Sequence, residues 1–585
     1  MYILETPYNV EVACRNLFDL LADMFRRLLL CFTAFLATTG IISSEGALSN
    51  LGVQGQYLLG LGKSLIGVPR EYQAETFPVV ETNMMGYASL AQTDTGLHMR
   101  QRSRAFIIAD ASDPSNRVVF INAALVGTHQ HSGVGGYLED LLPQITALGY
   151  VKQSADAIVA GTVLAVQRAH ENLQPGSLSL GNTTILDANI NRSPFSYLAN
   201  PADERAKYQY DQDKDMTLLR FDDANGNARG FLSFFAVHGT SLYENNTLVS
   251  SDNKGMAAYL YEAMVEPSSM PGNTTFIAGF TQSNVGDTSP NTLGAFCESP
   301  GQPWDGQPCE FEHSTCGNTT EDCHGRGPGF QISDFESNRI IAQKQVDGAQ
   351  TLMAQTLPSV QGPVTFVHTY MDMSFRSFQL PNGTTVQTCP PALGFSFAGG
   401  TTDGPGAFDF IQGDNSSNPQ NPFWELVKGA VTPDPVPEQV DCQFPKPILL
   451  NTGYTDVPYQ WSPNTVDIQM LRVGNFVMLI MPGELTTMAG RRLRDAVRTE
   501  LISSGVLGED AYVVIAGPAN TYGHYVTTPE EYTIQRYEGA STIFGPRAST
   551  QSYSRMLTDI CAQRYSGLVH REIHQPGIVP EPIDH

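Results

Sequence analysis

Two histidines one residue apart, in Thr128-His129-Gln130-His131-Ser132-Gly133, carry the sharpest chemical signal in the chain. On an extended strand, H-x-H puts both imidazoles on one face. The glycines that follow (Gly133, Gly135, Gly136) form a loop that leaves the rings accessible. Neighbouring histidines are as often structural as metal-binding, so the pair alone decides little. His238 closes a second apolar run (FLSFFAVH), just before Gly239-Thr240-Ser241. Three imidazoles at strand ends favour zinc, which takes imidazole with an oxygen ligand and keeps a position open for water. Glu484 follows the strongest apolar run of all, in Met481-Pro482-Gly483-Glu484. A carboxylate there needs a partner, and a cation is one; the competing reading is a carboxylate that caps the next helix. The segment Asn284-Val285-Gly286-Asp287-Thr288-Ser289-Pro290-Asn291 offers a tight turn, an acid and two hydroxyls, as many ordinary turns do. The chain has no G-x-S-x-G elbow and no H-E-x-x-H, which disfavours an α/β-hydrolase and a zincin.

The elements that must position these residues alternate in type. Residues 104–109 and 118–127 are β-branched apolar runs that predict buried strands. The spacing over 154–172 predicts a helix stopped by Gln174-Pro175-Gly176. Strands are predicted at 216–221, 231–238, 274–280, 471–481 and 511–517, and helices at 253–265, 334–356, 488–504 (N-cap Thr486 or Thr487) and 529–541. Residues 43–80 lack a pattern and predict a loose entry segment, while 297–330 and 380–445 are Gly/Pro-rich excursions. Strands alternating with helices predict a mixed α/β fold: mixed sheets flanked by helices, with long disulfide-bonded loops.

The charge balance narrows the partners. Lys and Arg number 34 against 59 Asp and Glu, a net charge of −25, which leaves no basic excess for nucleic acid. Charged residues are only 16% of the chain, too few for a disordered polyelectrolyte. Residues 28–42 (LLLCFTAFLATTGII), preceded by Arg26 and Arg27, are short for a membrane span and predict a secretory signal, with a signal-anchor as the alternative. Met24 stands directly before this pattern. Six cysteines (Cys297, Cys309, Cys316, Cys323, Cys389, Cys442) predict three disulfides, consistent with export to the extracellular side; Cys14, Cys31 and Cys561 stand apart. Sequons occur at Asn182, Asn191, Asn245, Asn273, Asn318, Asn382 and Asn415.

Several of these segments, taken in order, resemble the neutral ceramidases, zinc-dependent amidases of ceramide. They are Asn83–Ala88, Gly96–Arg100, His129–Gly136, Asn191–Pro194, Ser251–Gly255, Asn284–Asn291, Gly394–Thr401, Lys446–Leu450, Met481–Arg494 and Tyr522–Tyr525 with Glu530–Tyr532. The resemblance implies one zinc held by His129, His238, Glu484 and Tyr525. It implies Ser289 as a nucleophile activated by zinc-bound water, with His131, Arg192 and Tyr537 lining the catalytic site. Ceramide from a membrane surface or micelle would give sphingosine and a fatty acid. With Arg192 in the pocket, Asn191 is a poor site for glycosylation. The chain departs from the family at Thr288, Gln130 and Val134, which neighbour the implied site residues without being among them. The organisation implied is an extension and targeting segment over 1–47, a catalytic domain over 48–565 and a Pro-rich tail over 566–585. The family's C-terminal immunoglobulin-like domain would be missing, and a Ca2+ site between the two domains incomplete. The alternatives are a hydrolase of another N-acyl lipid or a lipid ester, and a secreted glycoprotein that keeps the fold without catalysis.

Overall fold

The computed structural model describes residues 56–66, 82–124, 128–270, 272–380, 382–406, 410–413 and 431–548. The run 28–42, Cys14, Cys31, Cys561, Asn415 and the tail lie outside them. Two sheets and four long helices dominate. The larger sheet contains β1 (Tyr57–Leu65), β2 (Arg102–Asp110), β3 (Arg117–Ala123), β4 (Gln174–Thr184), β5 (Asp215–Asp223), β6 (Ala228–Phe234) and β7 (Ile277–Thr281). Its order is β7-β6-β5-β4-β1-β2-β3, antiparallel except for the β6–β7 pair. The second sheet runs β8 (Val364–Asp372), β9 (Thr465–Val473), β10 (Phe476–Ile480), β11 (Tyr512–Ala516), with only β10 and β11 parallel. The helices are α1 (Lys152–Glu171), α2 (Asp252–Val265), α3 (Asp334–Met353) and α4 (Thr487–Ser503).

Side-chain alternation shows how the layers stack. Phe476, Met478, Ile480 and Val514 share one core with Leu59, Phe106, Phe221 and Phe234 of the larger sheet. The intervening Val477, Leu479, Val513 and Ile515 pack instead with Leu493, Val497 and Leu501 of α4. In the larger sheet, Ala105 and Ile107 face α1, and Phe231 and Phe280 face α2 and α3. The result is helix, sheet, sheet, helix. A strand buried on both faces must be apolar at every position, which is why 476–481 reads as an unbroken run.

Most predicted elements are present, with instructive exceptions. The region expected to be a loose entry contains β1, a central strand of the larger sheet. Its glycines and Lys63 hide the period from a propensity reading. Gln174-Pro175-Gly176 does follow α1, but it also opens β4. The run 471–481 is a hairpin, folded at Gly474 with φ +57°. The helix expected over 529–541 is two, Pro529–Ile534 and Tyr537–Ala540, parted at Gln535 with φ +53°. The six expected cysteines form Cys297–Cys316, Cys309–Cys323 and Cys389–Cys442. Among the described residues no helix is long and apolar enough to cross a membrane.

Candidate metal and nucleophile site

The site lies beyond the ends of the strands, on short segments stitched together by paired backbones. His129 is not on a strand: its φ is +57°, and only Gln130 bridges to Gly239. The H-x-H rings therefore converge through a turn and not through strand alternation. That turn is locked, because His131 N donates to Gly239 O at 2.9 Å and Gly239 N to His129 O at 3.2 Å. A Cβ on Gly239 would lie 2.3 Å from His129 O, so only glycine permits this approach. Glu484 sits beyond β10 in a two-residue parallel ladder whose register sets it directly beside Tyr525. A third ladder pairs Thr288 with Asn191 and Ser289 with Ile190, which brings Arg192 alongside.

Four potential ligand atoms meet. His129 Nε2 is 3.0 Å from His238 Nε2 and 3.4 Å from His131 Nε2. Glu484 Oε2 lies 3.1 Å and 3.2 Å from the first two. His238 Nδ1 is 2.9 Å from the Thr288 carbonyl, which can only accept, so Nδ1 carries the proton and the Nε2 lone pair points inward. Tyr522 OH donates to Glu484 Oε1 at 2.7 Å. Among the described residues no hydrogen bond reaches buried Glu484 Oε2 or His131 Nδ1. Burial, then Arg192 and His129, holds the His238 pKa down to about 4, so the ring is neutral at neutral pH. Burial likewise pushes His131 well below its usual value. Burial opposes the charge on Glu484, but the facing histidines keep it ionised. Three imidazole nitrogens crowded around a buried carboxylate oxygen that no hydrogen bond reaches fit a divalent cation.

The hydroxyl side adjoins this cluster. Ser289 is buried, and its Oγ donates to Asp403 Oδ1 at 2.5 Å. Arg192 Nε donates to Glu538 Oε1 at 3.0 Å, and Nη2 donates to Gly286 O at 2.9 Å and to Tyr525 OH at 3.0 Å. Burial works against the Arg192 charge, but Tyr525, Glu538 and Asp403 outweigh it. The Tyr525 and Tyr537 rings meet edge to face, 5.3 Å between centroids. Burial raises the pKa of both phenols, which stay protonated in the absence of a cation.

The structure thus brings His129, His131, His238 and Glu484 together, and links Ser289, Arg192, Tyr525 and Tyr537 beside them through hydrogen bonds and ring contacts. Buried Asn191 donates to Asp211 O and Asp287 Oδ2, while the sequons at Asn182, Asn245, Asn273, Asn318 and Asn382 are exposed. The helix-capping alternative for Glu484 falls to Asp287, whose Oδ1 accepts from Thr487 N at 2.7 Å at the start of α4. Sequence reasoning missed Asp403, Glu538 and Tyr522 as site residues. Asp403 stands two residues beyond the Gly394–Thr401 stretch, and its acid before Gly404-Pro405 was the available signal.

A family model described as "Neutral/alkaline non-lysosomal ceramidase, N-terminal" matches residues 64–126 and 122–554. Neutral ceramidase 1 of Arabidopsis thaliana is 40% identical over 617 residues, covering 88% of this chain and 76% of that protein. Neutral ceramidase A of Dictyostelium discoideum is 42% identical, with 87% and 75% covered. Among solved structures, a ceramidase complexed with C2 aligns with TM-score 0.71 at 33% identity, covering 87% of this chain and 75% of its own. The neutral ceramidase from Pseudomonas aeruginosa aligns at 0.69 and 32%, with 88% and 76% covered.

Proposed function

The chain belongs to the neutral/alkaline non-lysosomal ceramidase family, and we propose that it hydrolyses the N-acyl amide of ceramide to sphingosine and a free fatty acid. Ser289 is the nucleophile and His129, His238, Glu484 and Tyr525 hold one zinc ion. The observation that carries the metal assignment is the buried Glu484 Oε2, which no hydrogen bond reaches among the described residues and which faces two histidine nitrogens at 3.1 and 3.2 Å. Zinc in this position supplies Lewis acidity toward an amide carbonyl and lowers the pKa of bound water.

The chain's own residues divide the remaining work. The Thr288 carbonyl fixes the tautomer of His238, so the residue preceding the nucleophile also orients a ligand. Tyr522 holds the other Glu484 oxygen. Arg192 ties Tyr525 to the Gly286 carbonyl in the turn before Ser289, so ligand and nucleophile move as a unit. Tyr537, kept protonated by burial, is a hydrogen-bond donor for the developing oxyanion. His131, with Nδ1 unpaired and a lowered pKa, is a neutral imidazole that lines the site beside the ligand atoms. A membrane surface or micelle is the source of so insoluble a substrate.

Zinc content and hydrolysis of a short-chain fluorescent ceramide, on wild type and Ser289→Ala, test this reading. The wild type is expected to hold about one zinc and to cleave. Ser289→Ala is expected to keep the zinc and lose cleavage. A wild type without zinc overturns the ligand assignment, and a zinc-loaded wild type that does not cleave overturns the substrate.

A further inference from the structure

The Ser289 hydroxyl points at a carboxylate that the zinc chemistry does not require. Its Oγ donates to Asp403 Oδ1 at 2.5 Å, the short end for a hydroxyl on a carboxylate. Asn291 N donates to the same Oγ at 3.0 Å, so the hydroxyl has a donor on one side and an acceptor on the other. Asp403 is itself held. Its Oδ1 also accepts from Asn291 Nδ2 at 2.8 Å, Oδ2 lies 3.4 Å from Arg192 Nη1, and its N donates to Thr401 Oγ1 at 3.2 Å. Ser289 and Asp403 are each 1% exposed, so bulk water does not compete for the proton. The loop is pinned as well: a Cβ on Gly404 would lie 2.4 Å from the Tyr87 ring, which also meets His131 edge-on at 4.7 Å.

Resting on the reading of Ser289 as nucleophile, we propose that Asp403 aims the Ser289 hydroxyl and takes its proton during acylation. As Oγ bonds to the amide carbon, the carbonyl π pair moves onto oxygen and the hydroxyl proton crosses to Oδ1. The acidity of the hydroxyl rises as that bond forms, so even a weak base receives the proton late, as carboxylates do for hydroxyl nucleophiles in phosphoryl transfer. When the adduct collapses, the C–N bond breaks, its electron pair leaves on nitrogen, and the proton passes from Asp403 to that nitrogen. Sphingosine leaves as the neutral amine and the acyl group stays on Ser289. Water then attacks the ester, gives one proton to Asp403, and that proton returns to Oγ as the fatty acid leaves. Arg192 holds the carboxylate in place throughout.

The test compares wild type, Asp403→Asn, Asp403→Glu and Ser289→Ala. Its readouts are zinc content, kcat and KM on the short-chain ceramide, and the rate at which a fluorophosphonate labels Ser289 in zinc-loaded and chelator-stripped protein. Asp403→Asn is expected to keep its zinc and a KM within about threefold, and to lose about 10²–10⁴ in kcat. Labelling should slow comparably in both zinc states, and Asp403→Glu should recover part of each loss. Wild-type kcat or labelling in Asp403→Asn overturns the proposal. So does labelling that vanishes on stripping wild type but survives in loaded Asp403→Asn, which places the activating group on the metal side. If wild type labels in an Asp403-dependent way without cleaving ceramide, the substrate reading fails and the role of Asp403 stands. Should Asp403→Asn fail to fold, Asp403→Ser takes its place: a kcat within about threefold of wild type overturns the assignment.

Discussion

Glu262 and Glu484 are both buried glutamates, and the protein treats them in opposite ways. Glu262, on α2, accepts from Lys63 Nζ of β1 at 2.9 Å, from Arg104 Nε of β2 at 2.9 Å and from Ala278 N of β7 at 3.2 Å. Each oxygen is matched, and the carboxylate fastens a helix to three strands. Glu484 has one matched oxygen, on Tyr522, and one that faces two histidine nitrogens and that no hydrogen bond reaches among the described residues. A buried charge left uncompensated costs several kcal/mol, so a fold keeps one only where something else completes it. Glu262 is completed by the chain, and on the function proposed above Glu484 is completed by the metal ion.

The sharpest way to break this contrast is to neutralise each in turn. Glu484→Gln is expected to lose the metal and about 10³-fold or more in activity, the several kcal/mol that a Lewis acid supplies. The variant should unfold at nearly the temperature of metal-stripped wild type, because the amide oxygen of Gln still accepts the Tyr522 hydrogen bond. Metal analysis and calorimetry of the stripped protein check both halves. Glu262→Gln should do the reverse. It leaves Lys63 and Arg104 buried against a neutral amide, at a cost of about 3–5 kcal/mol in stability. Zinc content and kcat per folded molecule should not change. If the stripped Glu484→Gln protein proves less stable than Glu262→Gln, the distinction between the two glutamates collapses.

This contrast explains what was legible in the sequence. Glu484 was visible because a carboxylate after an unbroken apolar run has no local partner. His129, His131 and His238 were visible as residue types at run ends, although the turn geometry that joins His129 to Gly239 was not. The ladder from Asn191 to Thr288 spans almost a hundred residues, and no local period encodes it; only the resemblance to a family placed Arg192 beside Ser289. Asp403 was missed for the same reason, since one acid in a Gly/Pro-rich stretch reads as a turn until its partner at 289 is known. In the fold, α1 to α4 and β10 announced themselves by apolar period. β1 did not, because Gly60, Gly62 and Lys63 interrupt its pattern, and Lys63 makes sense only once Glu262 stands opposite.

Asp213 tests the contrast at its weakest point, where a paired carboxylate lies close to function. It bridges Arg491 Nε at 2.7 Å and Arg494 Nη2 at 2.6 Å on α4. Arg494 Nη1 in turn donates to Asn284 Oδ1 at 2.7 Å, at the start of the segment that carries Ser289. The cluster borders a cavity of about 470 Å³ lined by Tyr208, Lys214 and Tyr512 among others, so it is only partly shielded from water. Burial raises the Asp213 pKa, but Arg494 and Arg491 prevail and hold it down to about 2. The unfolded chain therefore takes up this proton first as pH falls from the ordinary carboxylate value of 3.8. The pair's stabilisation is complete above that value and is lost as pH drops toward about 2. A shift of this size is worth about 2 kcal/mol at neutral pH. Asp213→Asn should be less stable than wild type by that amount in urea at pH 7, and the gap should shrink by about half near pH 3. A gap independent of pH would mean that Asp213 acts through packing, and that completed pairing in this protein is not electrostatic in origin. A gap that closes while kcat stays constant would place Asp213 with Glu262, as a charge the chain satisfies for its own stability even beside the segment that carries Ser289.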